Sequence, residues 1–361
     1  MKILHQANQI EKKGRKIAHL ELGEPLKRTP RIVLDEARKY LNNKLPGYTP
    51  SNGIPELRDA ISKYYKKKGF KISSKNIFIT VGSSGAFLLT FLVCFNPGDT
   101  VLLFKPCYPA YRNILKSLNI NTIEIDYEDL EILEKYKKVI DGLILSSPNN
   151  PTGRIFSYEE VKFIYDFCLK NKIRLISDEI YHGIEFDQKS TSINSFGDQG
   201  IIINSFSKYF CMPGWRIGWA VIPKDIQENF LKLSQNLFIS SGSIAQRAAV
   251  KVFDCLEDLD FNVKIYEKNK NLVFNDLKNS SWNNFSNSQG AFYTYINVSK
   301  FTNNSSELVK NILNQCGVAL TPGEDFDKTN GSKFVRLSFS CETSHLQNGM
   351  SRLLKWINKN H

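Results

Sequence analysis

Lys208 lies in the run Ser205-Phe206-Ser207-Lys208-Tyr209-Phe210-Cys211-Met212-Pro213-Gly214-Trp215-Arg216, directly after the apolar triplet Ile201–Ile203. A lysine held where a strand ends can form a Schiff base with an aldehyde. The hydroxyls of Ser205 and Ser207 and the guanidinium of Arg216 suit the oxygens of a phosphate monoester. Upstream, Ser177-Asp178-Glu179-Ile180-Tyr181 follows a second apolar run, Ile173–Ile176. An aspartate at a strand's carboxyl end can face a protonated ring nitrogen, and a tyrosine three residues on can donate to a phenolate oxygen. The same two residues also suit a helix N-cap and a packed aromatic.

Ser147-Pro148-Asn149-Asn150-Pro151-Thr152-Gly153 follows the apolar run Leu143–Leu145, and by composition it is a turn. Thr80-Val81-Gly82-Ser83-Ser84-Gly85-Ala86 separates a strand pattern (Ile77–Ile79) from an apolar helix pattern starting at Phe87. A small-residue loop that opens a helix offers free backbone N–H groups and the positive end of the helix dipole, which together seat a phosphate. The common cofactor that is both an aldehyde and a phosphate monoester is pyridoxal 5'-phosphate. Its sites combine a Schiff-base lysine with a charged partner for the pyridine nitrogen.

In this order, the motifs resemble those of the class I/II aminotransferases of fold type I, and the resemblance runs from about Leu22 to Phe339. It implies that Lys208 carries the cofactor, Asp178 pairs with the ring nitrogen, and Tyr181 and Asn150 bind the ring oxygen. The phosphate would rest on Ser83, Ser84, Ser205 and Arg216, with Ser207 a weaker candidate. Tyr108, in Pro106-Cys107-Tyr108-Pro109-Ala110-Tyr111, would stack on the ring with Tyr111 as its neighbour. Arg336, in Phe334-Val335-Arg336-Leu337-Ser338, would grip the substrate α-carboxylate as a planar fork. Gly23 and Asn150 would close over the same group. Tyr48 resembles the tyrosine that reaches the partner subunit's phosphate, which implies a homodimer with shared sites.

The Asn150–Pro151 bond is a candidate cis peptide. The implied reaction moves an amino group between an L-amino acid and a 2-oxo acid, with the freed Lys208 amine shifting the α-proton. A lyase, a decarboxylase or a synthase on the same fold would use the same lysine, so the motifs leave those reactions open. A non-catalytic ligand-binding module is the more distant alternative. Two departures stand out. Ser84 occupies the place where aspartate-preferring relatives of one branch carry a lysine, so no dicarboxylate preference is assigned. Cys211 replaces a glycine common after the cofactor lysine.

The elements that must position these groups alternate. Strand patterns at 77–81, 101–104, 143–146, 173–177, 201–205 and 219–222 are interleaved with helix patterns. One helix opens with a capping box, Ser157 and Glu160, and continues with Val161, Ile164, Tyr165 and Cys168 on one face. The expectation is an α/β fold with a mostly parallel sheet covered by helices on both faces, followed by a smaller α+β C-terminal domain. In such sheets ligands lie beyond the carboxyl ends of the strands, where Ser83, Asn150, Asp178 and Ser205 fall. The expected division is an N-terminal segment (1–44) packing with the small domain, a large cofactor-binding domain (45–278) and a small domain (279–361). The amphipathic stretch from Ser234 to Leu277 would bridge the two domains.

Composition narrows the function classes. A chain of 361 residues with 42% hydrophobic and 23% charged residues has the makeup of an ordinary soluble protein with a sizeable core. Seven cysteines without a C-x-x-C pair point to a reducing cytosol rather than to zinc or a disulfide frame. Five histidines with no H-x-x-x-H spacing give no metal site. The start of the chain lacks the apolar core of a secretion signal. The apolar tract Ile77–Phe95 is interrupted at Gly82–Gly85 and reads as buried strand and helix, not as a membrane span. The net charge of +12 is spread over polar helix faces, as at Lys63 and Lys66–Lys68, so no nucleic-acid partner is expected.

Overall fold

A strand such as Ile201-Ile202-Ile203 can be apolar without a break only where both of its faces are covered, and that is where it lies. The structure, a computed structural model, describes residues 2–43 and 46–360; the expected boundary between residues 44 and 45 falls outside them. In chain order, α1 (Lys2–Glu11), β1 (Ala18–His19), α2 (Arg31–Asn43) and α3 (Pro55–Lys67) precede β2 (Ile77–Thr80) and α4 (Gly82–Cys94). Next come β3 (Thr100–Lys105), α5 (Pro109–Ser117), β4 (Asn121–Asp126), β5 (Gly142–Ser146) and α6 (Tyr158–Asn171). They are followed by β6 (Arg174–Asp178), β7 (Ile201–Ser205) and β8 (Gly218–Val221). Then α7 (Gln227–Phe238), α8 (Ser243–Val250) and α9 (Leu256–Lys278) lead to β9 (Tyr293–Asn297) and α10 (Ser305–Cys316). The chain finishes with β10 (Val318–Ala319), β11 (Thr321–Pro322), β12 (Phe334–Ser338) and α11 (Thr343–Asn360).

Seven strands form the main sheet in the order β2-β8-β7-β6-β5-β3-β4. β8 runs antiparallel to both neighbours, and the other pairings are parallel. Because side chains alternate across a strand, Ile201 and Ile203 enter one core with Phe87 and Phe91 of α4, Tyr111 of α5 and Phe230 of α7. Ile202 enters the opposite core with Val161 and Ile164 of α6 and with Trp219. The start of α6 is fixed as its sequence dictates: Ser157 accepts from the Glu160 N–H, and Glu160 returns the bond to the Ser157 N–H.

A second sheet, β11-β12-β9, is antiparallel, and β1 pairs in parallel with β10. Within the N-terminal segment, α1 packs against α10 and β10, whereas α2 packs against α8. The stretch expected to be one amphipathic bridge is divided: α7 ends at Phe238, and α8 and α9 follow as separate helices. α4 starts at Gly82 instead of Phe87, so Ser83 and Ser84 belong to the first helical turn and not to a loop. The Asn150–Pro151 bond is trans, and the cis bonds are Lys105–Pro106 and Ser147–Pro148. The turn around Asn150 closes on its trans backbone, with the Gly153 N–H donating to the Asn149 carbonyl at 2.8 Å. Among the described residues, no helix is long and apolar enough to cross a membrane, and no His/Cys/Asp/Glu group could hold a metal ion.

Candidate active site

The site forms where β2, β5, β6 and β7 end. Register places Asp178 beside Ser146 of β5 and Ile203 of β7. Ser205, the last residue of β7, stands opposite Gly218, which in turn stands opposite Thr80 at the end of β2. The first turn of α4 is thereby carried against the segment containing Lys208. The approach is close: a Cβ on Gly218 would sit 2.9 Å from the Ser83 nitrogen, so only glycine fits. Arg216 enters the same corner, its Nη2 2.7 Å from where a Cβ on Gly82 would lie. Ser205 Oγ donates to Ser207 Oγ at 2.9 Å and accepts from the Ser207 N–H at 3.1 Å. The corner thus joins hydroxyls, a guanidinium and the unpaired N–H groups of a helix start. Ser83 is half-buried there, and Ser84 faces outward. Cys211 and Arg216 bracket the turn in left-handed backbone, with φ of +55° and +51°. That conformation accounts for the glycine common at the Cys211 position.

Lys208 projects from this turn, partly buried, and its Nζ donates to the Gly23 carbonyl at 2.6 Å. Burial, and next the positive charge of Arg336, lower its amine from 10.5 to about 8, with Arg216 acting in the same direction. Asp178 is buried at the end of β6. Its Oδ2 accepts from the Tyr111 hydroxyl, and its Oδ1 accepts from the Ile180 N–H at 3.1 Å. Burial pushes this carboxyl up from 3.8 to about 6, although the Tyr111 hydrogen bond pulls the other way. Tyr108 caps α5 and meets Tyr111 edge to face at 5.6 Å. Burial and then the Asp178 charge raise its phenol, while the charges of Arg216 and Arg336 act the other way. Tyr181 is buried with its hydroxyl 2.9 Å from that of Tyr293, and its ring lies 5.8 Å below the Lys208 amine.

The second sheet supplies the other wall. Arg336, on β12, is buried between the rings of Tyr293 and Phe326, with Cζ 4.2 and 4.8 Å from their centroids. Its Nη1 donates to Asn150 Oδ1 at 2.9 Å; its Nη2 donates to the Glu21 carbonyl at 2.7 Å and to Thr321 Oγ1 at 3.2 Å. Its Nε is buried without a partner among the described residues, so this N–H is left to donate to an acceptor from outside them. The Nδ2 of Asn150 makes no hydrogen bond within the described residues, so that amide can still donate.

The structure therefore gathers Lys208, Asp178, Tyr181, Asn150, Arg336 and Gly23 around one cleft, with Ser83, Ser205, Ser207 and Arg216 at one end of it. It does not bring Tyr48 to this cleft: the side chain is 84% exposed. Tyr293, Glu21, Thr321 and Phe326 were missed. Glu21 acts through a backbone carbonyl, which leaves no trace in residue type, and Tyr293 read only as part of an apolar strand. The donor set fits pyridoxal phosphate. Among the described residues the buried Asp178 carboxylate accepts hydrogen bonds from the Tyr111 hydroxyl and the Ile180 N–H and forms no ion pair, while an amine with lowered pKa and a helix-start anion seat share the cleft.

Comparisons with known proteins agree with this geometry. The profile described as "Aminotransferase class I and II" matches residues 15–353. The chain is 35% identical to the valine–pyruvate aminotransferase of Mycobacterium tuberculosis, covering 94% of this chain and 91% of that one. It is 36% identical to the (5-formylfuran-3-yl)methyl phosphate transaminase of Methanocaldococcus jannaschii, with 99% and 96% covered. A crystal structure of an aminotransferase from Mycobacterium tuberculosis superposes with a TM-score of 0.96 at 34% identity, covering 99% of this chain and 96% of that one.

Proposed function

The chain belongs to the class I and II aminotransferase family, and we propose that it performs transamination between an L-amino acid and a 2-oxo acid with pyridoxal 5'-phosphate held at Lys208. One observation carries this reading. An amine lowered to about 8 feels both the carboxylate of buried Asp178 and the guanidinium of buried Arg336, whose Nε has no partner among the described residues. When bound, the cofactor supplies an aldehyde that condenses with primary amines and a protonated ring that accepts the electron pair released at an amino acid's α-carbon.

The chain's own groups divide the remaining work. Asp178 would keep the ring nitrogen protonated by pairing with it, and that pairing would offset the cost of burying its charge. Tyr181 and the Nδ2 of Asn150 would donate to the ring oxygen, and Tyr108 would cover the ring. Ser205, Ser207, Arg216 and the first turn of α4 hold the phosphate. Arg336 takes the substrate carboxylate, which fixes the α-carbon relative to the Lys208 amine. Lys208 then moves the α-proton as a neutral base, a role favoured by its lowered pKa. In the cofactor-free protein the Gly23 carbonyl accepts from that amine at 2.6 Å.

Tyr48 projects from the surface next to Thr49, whose N–H donates to Ser240 Oγ at 3.4 Å. In a homodimer it would complete the partner's phosphate seat. Seven cysteines, all free, support a cytoplasmic setting. The test is spectroscopic. Purified protein given the cofactor shows an absorbance band near the visible edge; an amino acid bleaches it, and a 2-oxo acid restores it. Lys208→Ala abolishes the cycle. A band that amino acids never bleach, or that no oxo acid restores, would defeat the proposal.

A further inference from the structure

Tyr293, the first residue of β9, touches three of the groups just described. Its hydroxyl lies 2.9 Å from that of Tyr181, its ring supports Arg336 at 4.2 Å, and any side chain at position 23 would collide with its hydroxyl. It is buried, so its hydroxyl must find its partner inside the protein, and Tyr181 is that partner. Each phenol carries a single proton. If Tyr181 spends its proton on an oxygen of the bound cofactor, the proton between the two phenols must come from Tyr293.

Building on the cofactor assignment proposed above, we infer that Tyr293 is a positioning residue that acts through Tyr181. Its hydroxyl donates to the Tyr181 oxygen, fixes the direction of the Tyr181 proton and strengthens that donor. Hydrogen bonds in a chain polarise one another, so the second bond is stronger for the presence of the first. The ring of Tyr293 has a separate task, which is to keep the Arg336 guanidinium flat against the cleft wall. Its hydroxyl also sets the requirement for glycine at position 23, whose carbonyl receives the Lys208 amine. One side chain thus ties ring chemistry to carboxylate capture.

The two tasks separate by substitution in the cofactor-loaded protein. Tyr293→Phe removes the hydroxyl alone. A weaker Tyr181 donor leaves more negative charge on the ring oxygen and holds the neighbouring nitrogen's proton more tightly. The pH midpoint of the visible-edge band should therefore rise by about 0.3–1 unit. Tyr293→Leu also removes the ring, and the KM for amino acid should rise further, by about 5–30-fold over that of Tyr293→Phe. The decisive arm is a double-mutant cycle. In a Tyr181→Phe background, Tyr293→Phe should leave the midpoint where Tyr181→Phe alone put it. An additive shift, or a midpoint that ignores Tyr293→Phe in the otherwise intact protein, overturns the inference while leaving the cofactor assignment standing. A loaded wild-type protein with no such band overturns both.

Discussion

Replacing Arg336 by methionine keeps an unbranched side chain between Tyr293 and Phe326 but removes the fork and its charge. Two effects should follow. First, the substrate carboxylate loses its charged donors. Hydrogen bonds to charged groups contribute about 1.5–3 kcal/mol each, so losing two costs about 3–6 kcal/mol and lowers kcat/KM roughly 10²–10⁴-fold. Second, Lys208 loses the charge that, after burial, does most to lower its pKa. With the amine at about 8, about a quarter of the molecules carry neutral Lys208 at pH 7.5; at the ordinary 10.5, only about one in a thousand would. The variant should move from the first figure toward the second. The assay is the pH dependence of Lys208 modification in cofactor-free protein by an amine-directed reagent such as trinitrobenzenesulfonate, read by peptide mass. The midpoint should rise in Arg336→Met, and the rate at pH 7.5 should fall. A midpoint identical to wild type would show that Arg336 does not tune the lysine, and a preserved kcat/KM would remove it from the carboxylate site.

Asp178 makes a prediction about stability. Its carboxyl is raised from 3.8 to about 6 by burial, so folding takes up a proton: the contribution is full below about pH 4 and is lost as pH rises through about 6. Relative to Asp178→Asn, cofactor-free wild type should lose up to about 3 kcal/mol between those limits, measured by urea unfolding; a flat difference would count against a buried, unpaired carboxylate. Gly23→Ala should impair activity strongly because the new methyl meets the Tyr293 hydroxyl, and Tyr293→Phe in the same chain should restore part of the loss. If the double variant is no better than Gly23→Ala, the collision is not the cause. Trp219→Ala should cost about 3–5 kcal/mol, since its fully buried ring packs on Phe206 at 4.8 Å and its Nε1 donates to Tyr65 at 3.2 Å; a calorimetric Tm within a degree of wild type would refute that.

The central strands were readable because burial on both faces writes an unbroken apolar run, as at Leu143–Leu145 and Ile201–Ile203. The edge strand β4 went unread because Ile125 is its only buried residue, leaving Asn121, Thr122 and Glu124 to read as polar chain. The direction of β8 was equally invisible, since pairing partners are set by tertiary packing rather than local composition. The misplaced cis bond has the same origin: Pro148 and Pro151 lie in one turn-forming string, and nothing local separates them. Within the site, Lys208 and Asp178 stand out by type and by position near strand ends, whereas Asn150 reads locally as a turn residue and enters only through the family resemblance. Tyr293 and Phe326 do not stand out, because an aromatic that supports a guanidinium looks in sequence like any core aromatic. The Glu21 carbonyl does not either, because a backbone acceptor has no residue signature.

Arg336 and Tyr293 rise from the small antiparallel sheet, whereas Lys208 and Asp178 sit on the rim of the large one. A change in the small sheet is therefore felt on the large one, through the charge Arg336 exerts on Lys208 and through the hydroxyl contact of Tyr293 with Tyr181.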